Sequence, residues 1–187
     1  KRTPILQVPP DKRNVIRATP WGDMATLAYR EKIELSRSDY DEIDAHCKAR
    51  GILWFASPWD VPSVDFLETY DPPCFKIASA GLTNVALRDA VKATGRPILM
   101  STGMSTMTEI DDAVDALAGS PLVLLHCTSN YPTADHEIDL PVIGTLHARY
   151  GLPVGYSGHE IGLLPSVVAV ARYGACVVER HVTEDRG

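Results

Sequence analysis

Leu122-Val123-Leu124-Leu125-His126-Cys127-Thr128-Ser129 begins as an unbroken apolar run and ends in small polar residues. It does not alternate polar with apolar, so it reads as a strand covered on both faces, as in a parallel sheet. Five other stretches share the design: Ile52–Ser57, Cys74–Ser79, Pro97–Thr102, Pro153–His159 and Cys176–His181. Their starts lie roughly 20–30 residues apart, the length of a strand, a helix and two loops. The repeat is structural, and its polar ends all fall on one side. A parallel sheet with function at the carboxyl ends of its strands has that pattern.

The intervening segments carry helix signals. Ser38-Asp39-Tyr40-Asp41 reads as a capping box opening a helix through Arg50, closed by Gly51. Helices are also expected at Val61–Thr69, Val85–Thr94, Leu140–Tyr150 and Leu164–Tyr173, and from Thr106-Met107-Thr108-Glu109 to Gly119. In the last of these, Ile110, Val114 and Leu117 supply the apolar stripe. Residues 1–37 lack a clear period and read as a long irregular loop region with room for a short helix or hairpin, and 38–187 as successive αβ units.

Strict strand–helix alternation allows a doubly wound open sheet or a (β/α)8 barrel. The open sheet usually shows a glycine-rich turn after its first strand, and neither that turn nor a P-loop occurs here. The expected fold is therefore a TIM-type (β/α)8 barrel, incomplete in this chain. About six βα units are present, with the first two strands and the C-terminal end missing.

A chain of 187 residues can bury one sizeable core. Its net charge of −6, with no basic run, argues against a nucleic-acid partner. No apolar run approaches the ~20 residues needed to cross a bilayer, so no membrane partner is expected. Cys47, Cys74, Cys127 and Cys176 form no C-x-x-C pair and read as small buried hydrophobes in a reduced, cytoplasmic protein.

The strand ends carry the chemistry. Lys76 is flanked by apolar residues and must be paired or touch a ligand, with a structural ion pair as the alternative. Ser79 lies three residues on, so cation and hydroxyl together make a phosphate or carboxylate site. Ser101-Thr102-Gly103-Met104 adds hydroxyls just before a helix, although each serine alone could be a turn or cap residue. His159 and His181 end consecutive strands. Neighbouring strands lie ~5 Å apart, so the two imidazoles can converge on one ion, or can be hydrogen-bonded core histidines. Glu179 shares a strand face with His181. Tyr131 brings a phenol to the mouth, or packs on the rim. His126, in mid-strand, reads as structural, and His46, His136 and His147 as surface residues.

Together these stretches resemble the sialic acid synthase family, whose members condense phosphoenolpyruvate with N-acetylmannosamine or a related amino sugar. The matching segments are Trp54–Asp60, Phe75–Ser79, Leu99–Met104, His126–Pro132, Val154–His159 and Val178–His181, in the family's order. The resemblance implies a (β/α)8 barrel followed by an antifreeze-like C-terminal domain, which is absent from this chain. It also implies a homodimer, because that domain reaches a neighbour's site. It implies a divalent metal, most often Mn2+ with Mg2+ or Co2+ as alternatives, on His159 and His181. Phosphoenolpyruvate would be held by Lys76, Ser79, Ser57, Ser101 and Ser129, and the sugar by Tyr131. Glu179, beside the metal, would help steer water, so that Lys76 and Glu179 are the expected catalytic residues.

The chain departs from the family in carrying Ser129 where some members have Asn, and in lacking an acidic residue near Gly81. The glutamate, lysine and glutamine of the family's first two strands are not found. Lys1 reads as lying beyond that second-strand motif. The expected product is an N-acetylneuraminate-type sialic acid plus phosphate. The alternatives are a legionaminate or pseudaminate synthase, another phosphoenolpyruvate-condensing barrel, or a non-catalytic ligand-binding fragment. The isolated chain is expected to be inactive.

Overall fold

A computed structural model describes residues 4–183. Lys1 and Gly187, on which two of the sequence readings fall, lie outside the described residues. The chain divides into two compact units, Lys1–Pro73 and Cys74–Gly187.

The first unit holds α1 (Pro4–Gln7), a hairpin of β1 (Ile16–Thr19) and β2 (Gly22–Ala25), α2 (Thr26–Lys32), α3 (Arg37–Arg50) and α4 (Val61–Glu68). The segment read as irregular thus contains both a hairpin and short helices. The box that opens α3 is Ser36 with Asp39, two residues before the expected one. The Ser36 hydroxyl accepts from the Asp39 amide at 3.3 Å, and the Ser36 amide donates to Asp39 Oδ2 at 2.7 Å. Ser36-Arg37-Ser38-Asp39 fits the same template as the later tetrad, and the earlier hydroxyl takes the cap.

The expected strand Ile52–Ser57 does not form. Ile52 and Leu53 are 61% and 80% exposed, and no strand pairs with them among the described residues. A lone apolar run has no ladder to satisfy its backbone, so propensity alone does not make it a strand. Tyr40, Trp54, Phe66 and Tyr70 instead cluster in tilted and edge-to-face pairs, with centroids 5.0–6.0 Å apart.

The second unit keeps the expected alternation. Its elements are β3 (Phe75–Ile77), α5 (Val85–Ala93), β4 (Ile98–Ser101), α6 (Met107–Ala116), β5 (Leu122–Cys127), α7 (Val142–Tyr150), β6 (Val154–Gly158), α8 (Leu164–Tyr173) and β7 (Val178–Arg180). Its five strands are all parallel and lie in chain order, β3-β4-β5-β6-β7. A doubly wound sheet reverses its order at a switch point; here each strand is added beside the last, as in a barrel wall. The Thr106–Glu109 capping box is present as expected. The buried stripe of α6 and its C-cap is Ile110, Ala113 and Leu117, with Val114 only half-buried.

Register sorts the strands into two faces. Lys76 lies beside Leu99, Ser101 beside Leu125, Leu125 beside Gly155, Cys127 beside Ser157, and Ser157 beside Glu179. Paired residues of a ladder point the same way. One face therefore carries Lys76, Ser101, Cys127, Ser157 and Glu179. The alternate positions Phe75, Ile77, Ile98, Met100 and Leu124 are fully buried, along with Leu87, Val91, Ile143 and Leu146 from the helices. Each such side chain contributes about 1.5–3 kcal/mol by leaving water. Among the cysteines Cys127 is buried, Cys47 and Cys74 are half-buried, and Cys176 is exposed, contrary to its reading as a buried hydrophobe. Among the described residues no helix is long and apolar enough to cross a membrane.

Candidate active site

Lys76 is only 4% exposed, so its ammonium has to be paired. Its Nζ donates to Ser101 Oγ at 2.7 Å and lies 3.6 Å from Glu179 Oε2. Burial pushes the Lys76 pKa down, and the facing Glu179 carboxylate pulls it part of the way back. Ser157, absent from the sequence expectations, donates to Glu179 Oε1 at 2.7 Å and fixes that carboxylate on the shared face. The structure thus gives Lys76 the ion-pair partner of one of its two readings, at the edge of a polar row.

Ser79 follows β3 in a short 3-10 turn. The Gly103 amide donates to Ser79 Oγ at 3.1 Å. A Cβ at position 103 would collide with Ser129 Oγ and come within 2.8 Å of Ser79 Oγ and 3.0 Å of the Cys127 carbonyl. Only glycine leaves room for both hydroxyls beside this residue. An amide and two hydroxyls gathered in this way suit an anion. Beside them lies a cavity of about 390 Å³, lined by Thr102, Met104, Ser129 and Asn130 among others. A larger cleft of about 530 Å³ is lined by Ile161, Leu163 and Leu164 and by none of the expected site residues.

The histidines meet at a phenol. Tyr131 Oη lies 2.6 Å from His159 Nε2 and 3.1 Å from His181 Nε2. The Tyr131 ring stacks on His159 at a centroid distance of 3.9 Å, and the two imidazoles are 5.2 Å apart. His159 Nδ1 lies 2.7 Å from the Thr128 carbonyl, which can only accept. This sets the tautomer: Nδ1 carries the proton, and Nε2 turns its lone pair toward the phenol. Burial lowers the His159 pKa and favours that neutral form.

Two Nε2 atoms directed at one oxygen are the donor chemistry of a divalent-metal site of the imidazole type. Among the described residues no group of three or more His, Cys, Asp or Glu could hold a metal ion, so the two imidazoles alone do not make a complete ligand set. Cys127 Sγ joins the two halves of the site, 3.7 Å from Ser79 Oγ and 4.0 Å from His159 Nδ1.

Within the second unit, contacts join Lys76, Ser101 and Glu179 in one group and Ser79, Tyr131, His159 and His181 in another through Cys127, with Ser129 beside Gly103. Ser57 belongs to the first unit, where it lines a cavity of about 10 Å³ with Tyr40, Ser63 and Phe66. His126 is structural, as read: it is buried, and its Nε2–H donates to the Ile138 carbonyl at 2.7 Å. His46, His136 and His147 are exposed. Sequence reasoning missed Ser157 and the Thr128 carbonyl as orienting groups. Their signal is strand register, which one chain read alone does not carry.

Residues 4–187 match the sequence pattern of the NeuB family.

The chain belongs to the NeuB family.

Among its relatives is the N,N'-diacetyllegionaminic acid synthase of Campylobacter jejuni, 35% identical over 90% of this chain and 52% of that protein. The N-acetylneuraminate-9-phosphate synthase of Drosophila melanogaster is 36% identical over 84% of this chain and 43% of that protein. Among solved structures, the N-acetylneuraminic acid synthetase of Leptospira borgpetersenii, crystallised with citrate, superposes with a TM-score of 0.82 at 33% identity. That match covers 86% of this chain and 56% of the other. The α/β fold with a five-stranded parallel sheet is therefore similar to the matched part of that synthetase, and this NeuB-family chain spans about half the length of the curated relatives it matches.

Proposed function

We propose that this chain carries the phosphoenolpyruvate- and metal-binding wall of a (β/α)8 synthase. The reaction joins phosphoenolpyruvate, an N-acetylated amino sugar such as N-acetylmannosamine, and water to give a sialic acid and phosphate. The observation that carries the reading is the convergence of Tyr131 on His159 and His181, linked through Cys127 and Ser79 to the Gly103 amide on one strand-end surface. The Lys76–Ser101 and Lys76–Glu179 contacts extend the same polar face.

Lys76 binds anionic phosphoenolpyruvate with the hydroxyls of Ser79, Ser101 and Ser129 and the Gly103 amide. These donors fix the direction from which C3 of the enol meets the aldehyde carbon of the sugar. His159 and His181 hold the divalent metal, Mn2+ in the leading reading, with Mg2+ and Co2+ as alternatives. When bound, it supplies Lewis-acid polarisation at the aldehyde oxygen. Tyr131 swings its phenol from the imidazoles to a sugar hydroxyl. Attack through C3 opens the aldehyde C=O, whose oxygen takes up a proton from solvent to become a hydroxyl, and leaves an oxocarbenium-like C2. Glu179, oriented by Ser157 and Lys76, takes a proton from the water that captures C2. Phosphate then leaves by C–O cleavage.

The relatives named here act on different acceptors, so a di-acetamido sugar giving legionaminate is the second reading, favoured by the Campylobacter relative. A cytoplasmic homodimer completes the proposal. The test is phosphate release by the full-length protein supplied with phosphoenolpyruvate, Mn2+ and a panel of amino sugars. Release that requires both an amino sugar and phosphoenolpyruvate is the expected result. Release that ignores the sugar, or none with any sugar, rejects the function.

A further inference from the structure

Behind the proposed site, on the opposite face of the sheet, lies a polar cluster that the condensation does not use. It joins Tyr156 on β6, Glu160 just after β6, Ser166 on α8 and Arg180 on β7. The Glu160 side chain is fully buried and the Arg180 side chain is 20% exposed. Both carboxylate oxygens of Glu160 are engaged. Oε2 accepts from the Tyr156 hydroxyl at 2.7 Å, and Oε1 pairs with Arg180 Nη1. Arg180 Nη1 also donates to Ser166 Oγ at 3.3 Å, and Nη2 donates to the carbonyls of Glu160 at 2.6 Å and Gly162 at 2.9 Å. The guanidinium therefore sews β7 to the loop that leaves β6.

Gly158 is the residue that admits this closure. A Cβ there would come within 2.5 Å of Arg180 Nη1 and 2.7 Å of both Glu160 Oε2 and Tyr156 Cε1. Gly158 lies opposite Arg180 in the ladder, and His159 and His181 each follow by one residue. The clamp and the imidazole pair thus occupy adjacent rungs.

Strand β7 has need of such a clamp. It is three residues long, lies at the edge of the sheet among the described residues, and pairs with β6 alone. So short a ladder specifies its register weakly, and a slip of one residue sends every side chain to the other face. Such a slip would carry His181 away from His159. A hydrogen-bonded carboxylate–guanidinium pair whose carboxylate is fully buried favours one register, because any other leaves that buried charge unpaired.

We propose that Arg180 and Glu160 are positioning residues that lock the register of β7 and so bring the His181 imidazole to His159. The consequence for the metal rests on the reading of the two histidines as its ligands; the consequence for ring placement does not.

The test uses the full-length protein, labelled at histidine and free of metal, in two measurements. The first is the nuclear Overhauser contact between the rings of His159 and His181, whose centroids are 5.2 Å apart. The second is the affinity for Co2+ by calorimetry. Arg180→Met is expected to lose the ring contact and to bind Co2+ about 10–100-fold more weakly, the range for losing an outer-shell partner. Arg180→Lys, which keeps the charge, is expected to recover part of both. Should Arg180→Met fail to fold, Glu160→Gln keeps the shape, weakens the pair, and is read in the same way. A folded Arg180→Met protein with its ring contact intact and its Co2+ affinity within two-fold of the parent overturns the proposal. A parent protein without the ring contact overturns it too. If the parent shows the contact but binds no Co2+, the metal reading fails, and the ring contact in the variants alone decides the clamp.

Discussion

The two units of this chain start from similar sequence material and end differently. Each offers an apolar run followed by a helix: Ile52–Ser57 before α4 in the first, Leu122–Cys127 before α7 in the second. In the second the run is the central strand of a five-stranded sheet, and Leu124 and Leu125 have no exposed surface. In the first, Leu53 is 80% exposed and no strand forms. Even the 14-residue α3 has no fully buried residue. An apolar run becomes a strand when neighbours take its amide and carbonyl groups and cover its side chains. The difference lies in the surroundings of the run, not in its composition.

The sharpest way to break this contrast is truncation. Leu124→Ala is expected to cost about 2–5 kcal/mol of unfolding free energy, through lost burial and the cavity left behind. Leu53→Ala is expected to stay within about 0.5 kcal/mol, as surface changes do. Denaturant titration of the two variants measures both. Equal losses would mean that the exposed run is covered by something in solution, and the contrast would go.

A smaller effect separates function from stability within the second unit. Lys76→Met is expected to weaken phosphoenolpyruvate binding about 100-fold, or about 2.7 kcal/mol, by removing a charge-assisted contact. The cost to the fold should be modest, because Glu179, left without its partner, is 37% exposed and can be solvated by water. The sign with pH follows from burial. The folded-state pKa of Lys76 is lowered, so the unfolded chain holds more protons in the window between that value and the usual 10.5. The stability contributed by Lys76 therefore rises as pH climbs through the window, and Lys76→Met should flatten that alkaline rise. Calorimetric binding and melting curves at several pH values follow the two effects.

The smallest expected effect is one that the units share. Ser36→Ala opens the cap of α3 and Thr106→Ala that of α6; both residues sit in complete capping boxes. Each loss should be about 1 kcal/mol. A much larger loss at Thr106 would show that capping is coupled to the packing of the second unit.

That ordering also marks what could be read in advance. The helices of the second unit were legible because their caps and apolar spacing are local. So was the parallel sheet, because five runs without alternation can be satisfied only by cover on both faces. Lys76, His159 and His181 stood out because a buried charge and strand-end imidazoles are costly without a partner. The exposed Ile52–Ser57 run misled, since its composition matches that of the true strands. Ser157 and the Thr128 carbonyl stayed hidden, for nothing in their neighbours along the chain marks them.

The sequence by itself determined the alternation of strand and helix and the residue types at the strand ends, because period, capping and burial cost act over a few neighbouring residues. Tertiary structure alone decided which side chains share a face and a rung. The Lys76–Glu179 pair spans 103 positions, and Tyr131 reaches His181 across 50. Contacts at such separations depend on ladder register, and register is set only when whole strands lie side by side.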